Sequence, residues 1–289
     1  MEVILGLCAA IAYGAGDFAG GLVSRRANVL IVVALSQVIG STILIPAIIV
    51  VGGELTTSAM GWGAVSGIAG GVGVILLYTG LSRGRMSVVA PITAVLAAIV
   101  PVGFGLVTGE RPSPLALIGV VIALGSVGLV SAAPDPGAPG GGAGTDDPDI
   151  REQPSSGIAE ALGAGVGFGF FFVALAEAGS GSGLYPILFA RIGSLLLVGA
   201  IIFFRHPSRT GMRESLPGIA VAGTLDVAAN VLYLLATRQG LLSLVAVLTS
   251  MYPATTVLLA RTVLSERLAR TQAVGLVLAT AAVALIATG

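Results

Sequence analysis

The sequence predicts an all-α integral membrane protein with ten transmembrane helices in two inverted five-helix repeats. Three observations lead to this prediction. The 289 residues are 55% hydrophobic and only 10% charged, whereas about a quarter of the residues of a soluble domain are charged. Long apolar runs follow one another along the chain, and part of the first half recurs in the second half. The composition therefore argues against a soluble enzyme.

Ten apolar runs account for most of the chain, and each approaches the ~20 residues that a helix needs to cross a bilayer. The runs are continuous, without the period-two alternation of a transmembrane barrel. The first run follows Glu2 instead of a basic segment, so we interpret it as a span and not as a secretory signal. Short loops predict that consecutive helices lie side by side and antiparallel. The expected spans are residues 3–23, 29–51, 61–82, 86–108, 114–132, 157–177, 184–204, 216–236, 241–261 and 270–287.

The stretch 133–156 differs in composition from the rest of the chain. It contains the sequence GAPGGGAG at 137–144, followed by several acidic residues. Because glycine, proline and acidic residues cannot bury a core, this stretch is expected to be a flexible linker. It separates a first five-helix repeat, 1–132, from a second, 157–289, and each half is expected to bury its own helices.

An internal repeat relates the two halves. Residues 84–129 align with residues 240–285 without a gap, with 14 identities in 46 pairs. Apolar sequences match by chance through Ala, Val and Leu, but the adjacent Glu-Arg pairs at 110–111 and 266–267 are not explained in that way. Because five spans is an odd number, the second unit enters the membrane from the opposite side, so the halves are inverted. This architecture is typical of secondary transporters, whose substrate site lies near the midplane.

Three segments carry a resemblance to a known family. Each half has a Glu-Arg corner and a closing helix, at 108–130 and 264–287, and the first helix contains YGAGDF at 13–18. Outside the linker, the chain resembles the EamA-type transporters of the drug/metabolite transporter superfamily. The resemblance implies a ten-helix exporter or importer of small metabolites, with helices 1, 3, 4, 6, 8 and 9 lining a central cavity. The second half opens with GVGFGFFF at 165–172, which lacks the polar residue that Asp17 supplies in the first half. Unequal contributions to the site are therefore expected.

Charged residues inside the spans are the first candidates for function, because a charge at mid-bilayer costs roughly 2.5–3.5 kcal/mol on insertion scales. Asp17, Arg191 and Asp226 lie well inside the expected spans. Asn230 and Tyr233 share a helix face with Asp226, and Tyr13 shares one with Asp17. The candidates for binding substrate or a proton are Tyr13, Asp17, Tyr78, Asp226, Asn230, Tyr233 and Tyr252. The alternative is a structural Asp–Arg pair that locks helices together.

The depth of each charge predicts its partner. At 1.5 Å rise per residue, Arg191 and Asp226 differ in level by about 5 Å, whereas Arg191 and Asp17 differ by ~10 Å. We therefore expect Arg191 to neutralise Asp226, with Asn230 and Tyr233 facing the cavity.

The helix corners and the prolines are expected to have structural roles. Glu110, Arg111, Glu266 and Arg267 lie at corners, where a carboxylate pairs with backbone amides and arginine at the start of the next helix. Pro91, Pro101 and Pro253 are expected to interrupt helices 4 and 9. These prolines are candidate hinges, and the alternative is a static kink that improves packing.

No enzyme, metal or cofactor site is expected. Cys8 is the single cysteine, His206 is the single histidine, and the chain has no lysine. These counts exclude a Cys-based metal site, a His-dependent triad inside the membrane and a P-loop. The zero net charge and the lack of a basic cluster argue against nucleic acid as a partner.

The expected function is secondary transport, without ATP bound to this chain. A small organic metabolite, amino-acid-like or drug-like, is expected to be exported by alternating access between the inverted halves. The expected partners are that solute and the lipid bilayer, with protons as a candidate coupling ion. The alternative is a polytopic membrane protein without transport activity, such as a scaffold or a lipid-handling enzyme.

The arginines predict the orientation. Arg111 and Arg238 lie in loops on one side of the expected topology, and ten arginines lie on the other side. Arginine accumulates in cytoplasmic loops, so both termini are expected outside an inner (plasma) membrane, with the linker cytoplasmic. The ten are Arg25, Arg26, Arg83, Arg85, Arg151, Arg205, Arg209, Arg213, Arg267 and Arg270.

Overall fold

The computed structural model describes residues 1–83, 86–131, 157–208, 211–263 and 270–288. Within these ranges the chain forms eleven α-helices and one short 3-10 turn at Ser180–Ser182, without a β-strand. The helices are α1 (Glu2–Ser24), α2 (Val29–Val51), α3 (Thr57–Arg83), α4 (Met86–Thr108), α5 (Pro114–Ser131), α6 (Ile158–Ala176), α7 (Tyr185–Arg205), α8 (Met212–Thr237), α9 (Leu242–Thr249), α10 (Tyr252–Val263) and α11 (Arg270–Thr288).

Six helices in the described part of the chain are long and apolar enough to cross a membrane. These six are α1, α2, α3 over its residues Thr57–Gly80, α6, α7 and α8. Shorter apolar stretches occupy the other four expected runs, at Ile92–Thr108, Pro114–Leu129, Leu242–Thr256 and Ala273–Ile286. The fold is therefore an all-helical, multi-pass membrane protein, and ten crossings stay a prediction.

The expected ninth span is two helices. Helix α9 ends at Thr249, and α10 begins at Tyr252, with Pro253 as its second residue. Proline has no N–H to donate and disfavours helical backbone in the residue before it, which accounts for a break at this position. In contrast, α4 continues through Pro91 and Pro101, so the expected interruption of helix 4 is wrong. Neighbouring helices in a membrane protein commonly accommodate the lost hydrogen bond.

The helices of each half pack mainly against helices of the other half. The most extensive contacts join α1 to α8, α3 to α6 and α7, α4 to α6, and α5 to α11. Among the described residues, every helix makes its most extensive contact with a helix of the other half. The expectation that each half buries its own helices is therefore wrong. Consecutive helices such as α3 and α4 do lie in contact, but less extensively than the pairs that join the two halves.

Glycines at the interfaces explain this arrangement. A Cβ atom at Gly193 on α7 would lie 2.6 Å from the carbonyl oxygen of Ala64 on α3, and one at Gly165 on α6 would lie 2.8 Å from that of Thr93 on α4. No side chain fits at these positions. Since lipid provides little hydrophobic force between helices, close backbone approach at small residues selects the partners. Short loops limit the distance between consecutive helices but do not decide which faces meet.

Candidate functional site

A cavity of about 70 Å³ lies between the two halves. Its wall is formed by α1, α3, α4, α6, α8 and α10, and also by α2 and α7. Helix α10 is the second part of the expected ninth span, so the first six correspond to the helices that the family resemblance implies. Five of the seven predicted substrate residues line it, namely Tyr13, Asp17, Asp226, Asn230 and Tyr252. Gln37, Arg191 and Ser194 add polar groups, and the rest of the wall is apolar or glycine. A few polar groups in a largely apolar wall are typical of small-molecule sites.

An ion pair between Arg191 and Asp226 joins α7 to α8 at the cavity wall. The Nη2 atom of Arg191 contacts Oδ2 of Asp226. The arginine side chain is 6% exposed and the aspartate side chain is 35% exposed, so the arginine is buried and the aspartate is partly accessible. The structure thus brings together the two charges whose depths predict a pair.

Gln37 on α2 extends this polar network. Its Oε1 atom accepts a hydrogen bond of 2.9 Å from Nη1 of Arg191, and its Nε2 atom donates to the hydroxyl of Ser194 on α7. Both residues line the cavity and are buried. The guanidinium is therefore held between a carboxylate on one helix and an amide on another, which fixes its orientation.

Tyr13 and Asn230 link α1 to α8 next to the ion pair. The hydroxyl of Tyr13 donates to Oδ1 of Asn230 at 2.6 Å, and Nδ2 of Asn230 donates to the backbone carbonyl of Asp226 at 2.8 Å. The tyrosine ring also makes an edge contact with Phe172, with 5.9 Å between ring centroids. These contacts hold the polar face of α8 against α1.

The first helices of the two halves contribute different groups to the cavity: aromatic rings come from α6, and a carboxylate comes from α1. Phe168, Phe171 and Phe172 on α6 line the cavity. Asp17 on α1 faces the same space and is half-buried. Within the described residues, no cation lies at ion-pair distance from the carboxylate of Asp17. The two halves therefore present different chemistry to one cavity.

Two predicted residues do not line the cavity. Tyr233 is fully buried, and its hydroxyl donates to the backbone carbonyl of Phe172 at 3.1 Å. Tyr78 is buried, and its hydroxyl lies against Gly20 of α1. Tyr233 lies seven residues, or ~10 Å, beyond Asp226 along α8, and its ring packs against that of Phe172, with 4.5 Å between ring centroids, so it is not among the residues that line this cavity.

Sequence reasoning missed Gln37 and Ser194, together with the helices that carry them. A mid-span glutamine in a largely apolar helix is a signal of the same kind as a buried charge, because its amide also needs partners in lipid. The family resemblance did not imply either helix as part of the wall.

The Glu110 carboxylate caps a helix of the other half. Its two oxygens accept hydrogen bonds from the amides of Leu242 at 2.7 Å and Ser243 at 3.0 Å, at the start of α9. The sequence predicts a partner at the start of the next helix, α5. At that position the hydroxyl of Ser113 accepts a hydrogen bond from the amide of Ala116 instead. Arg111 donates to the carbonyl of Glu110 at 3.1 Å. The expected counterparts, Glu266 and Arg267, lie outside the described residues.

No group of three or more His, Cys, Asp or Glu side chains in the described ranges is placed to hold a metal ion. The polar groups of the cavity can form hydrogen bonds and ion pairs with a solute. None of them is arranged as a nucleophile with an adjacent general base.

Comparison with known proteins identifies the family. Residues 1–132 and 155–288 match the EamA-like transporter family. The fold is similar to that of a protein with a solved crystal structure, with a TM-score of 0.73, 18% sequence identity, and coverage of 98% of this chain and 95% of the other. A comparison with curated protein sequences finds no match. Because the family match covers nearly the whole chain, the predicted membership is confirmed, and the protein belongs to the EamA-like family of membrane transporters.

Proposed function

We propose that this protein is a secondary transporter that moves a small organic metabolite by alternating access between two inverted five-helix halves. The observation that carries the proposal is the cavity, which both halves line and which combines an apolar wall with an ion pair, an amide and a further carboxylate. Such a set binds a solute without chemically changing it. The solute class is amino-acid-like or drug-like, and the direction is export across the inner membrane.

The helix contacts support the inverted repeat. If α1, α2 and α3 correspond to α6, α7 and α8, exchanging the halves converts the α1–α8 contact into the α6–α3 contact. The same exchange converts α2–α8 into α7–α3, and all four contacts are extensive. A pseudo-two-fold relation between halves of opposite orientation has this property.

The small size of the cavity supports alternating access. A buried water needs at least ~10–15 Å³ by such a measure, so about 70 Å³ holds roughly five waters. A metabolite larger than this requires the halves to move apart. Because the cavity lies between the halves, their relative motion changes both its volume and its access.

The proposal is tested with purified protein in proteoliposomes. Uptake and efflux of a metabolite panel are measured with and without a pH gradient. We expect at least one small organic solute to move faster than in protein-free vesicles, and faster still with a gradient of one sign if protons are coupled. A correctly inserted protein that moves no solute on the panel would support the alternative of a scaffold or a lipid-handling enzyme.

A further inference from the structure

The charges on the cavity wall do not balance. Arg191 forms an ion pair with Asp226 through one guanidinium nitrogen and donates a hydrogen bond to Gln37 through another. The carboxylate of Asp17 faces the same cavity without a cation at ion-pair distance in the described part of the chain. With both carboxylates ionised, the cavity carries one negative charge in excess.

A second polar group in the cavity is also unmatched. The hydroxyl of Tyr252 at the start of α10 is buried and has no hydrogen-bond partner among the described residues. The whole residue is 7% exposed, and it lines the cavity. A buried hydroxyl without a partner costs free energy, so this one is available to a bound solute.

Aromatic rings form another part of the cavity wall. Phe168, Phe171 and Phe172 face the cavity from α6. The face of an aromatic ring attracts a cation, and the same ring packs well against an apolar or aromatic body. An anionic solute, in contrast, meets an excess carboxylate and an arginine that is already occupied.

We infer that the cavity selects solutes in which a positively charged amine is attached to an apolar or aromatic body, with Asp17 as the counter-ion. This inference rests on the proposed transport function and narrows its substrate class. Within the cavity, Asp17 binds the ammonium group, Tyr252 accepts a further hydrogen bond from it, and the phenylalanines contact the body of the solute.

The inference is tested by binding to the purified full-length protein in nanodiscs at neutral pH. Three probes share one phenyl ring and differ in charge: phenethylamine is a cation, 2-phenylethanol is neutral, and 3-phenylpropionate is an anion. We expect the amine to bind about tenfold more tightly than the alcohol, which corresponds to ~1.4 kcal/mol, and the anion to bind most weakly.

Substitutions assign the preference to Asp17. Asp17→Asn should reduce amine binding to the level of the alcohol, and Asp17→Glu should retain the preference. Tyr252→Phe should weaken amine binding by a smaller factor. Glu54→Gln is the matched control, because it removes an exposed carboxylate outside the cavity and should leave the preference unchanged.

The inference is overturned if the alcohol or the anion binds as tightly as the amine, if none of the three probes binds, or if Asp17→Asn keeps the amine preference. Failure of the proposed function is seen separately, in the proteoliposome panel. Transport of a neutral or anionic solute there, together with a missing amine preference, would reject the counter-ion role of Asp17 and leave secondary transport in place.

Discussion

At the scale of single residues, Arg191 is the centre of the polar network. Its guanidinium contacts side chains on α2 and α8, and its side chain is 6% exposed. Removing one partner of a fully buried ion pair costs about 3–5 kcal/mol. The cost is lower here because water reaches Asp226. We therefore expect the loss of this pair to cost less than the loss of a fully buried one.

Asp226→Asn should lower the transport rate even when the protein inserts normally. The substitution leaves the buried arginine without its carboxylate and alters the charge of the cavity. Initial rates in proteoliposomes, measured from mildly acidic to mildly alkaline pH, test this expectation, with Glu54→Gln as the control. A wild-type rate across that pH range would contradict both the importance of the pair and any proton-coupling role of Asp226.

Gln37→Leu should lower both stability and transport. The substitution removes a partner from Arg191 and from Ser194, and each unsatisfied buried polar group costs about 1–3 kcal/mol. Val38→Leu is the matched control, because the neighbouring valine is 47% exposed on the same helix. Thermal unfolding in detergent and the transport rate provide the two measurements. Equal midpoints for the two variants would show that the amide is not needed.

The sequence predicts the partner of Arg191 but not the residues around it. Depth along a span depends only on the rise per residue, so the level of Asp226 can be calculated from the sequence. The rotation of α2 and α7 about their axes depends on their neighbours, which the sequence does not specify. For this reason the sequence does not predict that Gln37 and Ser194 line the cavity.

At the scale of helices, α9 depends on a cap from the other half. Glu110→Ala removes the acceptor of two amides at the start of α9, and a lost cap costs about 0.5–2 kcal/mol. We expect a lower thermal midpoint, measured by size-exclusion chromatography after heating, and a smaller decrease for Glu110→Gln. Glu177→Ala is the control, because this exposed carboxylate lies at the end of α6, where a negative charge is not favoured. Similar midpoints for Glu110→Ala and Glu177→Ala would contradict the capping role.

Gly193→Ala should destabilise the contact between α7 and α3. The added methyl group would lie 2.6 Å from a backbone oxygen of α3, and overpacking of this kind costs typically about 1–3 kcal/mol. Gly199→Ala is a control on the same helix, since nothing lies within 4 Å of its Cβ position. The yield of folded protein and its thermal midpoint distinguish the two variants. A Gly193→Ala protein as stable as Gly199→Ala would argue against close packing at this site.

The sequence predicts most helix bounds to within a few residues, because apolar runs and loop residues define them. It does not predict which helices touch. With 43 glycines in the chain, close spacings arise by chance at many positions. Only the fold distinguishes Gly193, which faces α3, from Gly199, which faces open space.

At the scale of the whole molecule, contacts between loops show which helix ends lie together. A Cβ atom at Gly211, before α8, would lie 2.6 Å from the carbonyl oxygen of Arg26, so the end of α1 and the start of α8 meet at one end. Arg238 donates to the carbonyls of Gly179 and Gly183, after α6. The loop after α8 and the loop after α6 therefore meet at the opposite end.

The C-terminus should lie outside the cytoplasm. Arginine-rich loops remain cytoplasmic, so the end of α1 that is followed by Arg25 and Arg26 is expected inside, and the N-terminus is expected outside. With ten predicted crossings, an even number, the C-terminus lies on the same side as the N-terminus. A C-terminal alkaline phosphatase fusion, which is active only outside the cytoplasm, should be active, and a green fluorescent protein fusion should be dark. A bright fluorescent fusion with inactive phosphatase would reverse the predicted orientation.

Because the helices of each half pack mainly against the other half, the order in which the helices are synthesised affects assembly. A ribosome adds about 5–20 residues per second, so α1 to α5 spend roughly 10–30 s in the bilayer before the second half is complete. During that interval these helices are without the neighbours from the second half that they contact in the finished structure. A nascent chain that stops before α8 lacks the main neighbour of both α1 and α2. Assembly of this protein is therefore largely a late event, completed by the arrival of the last helices.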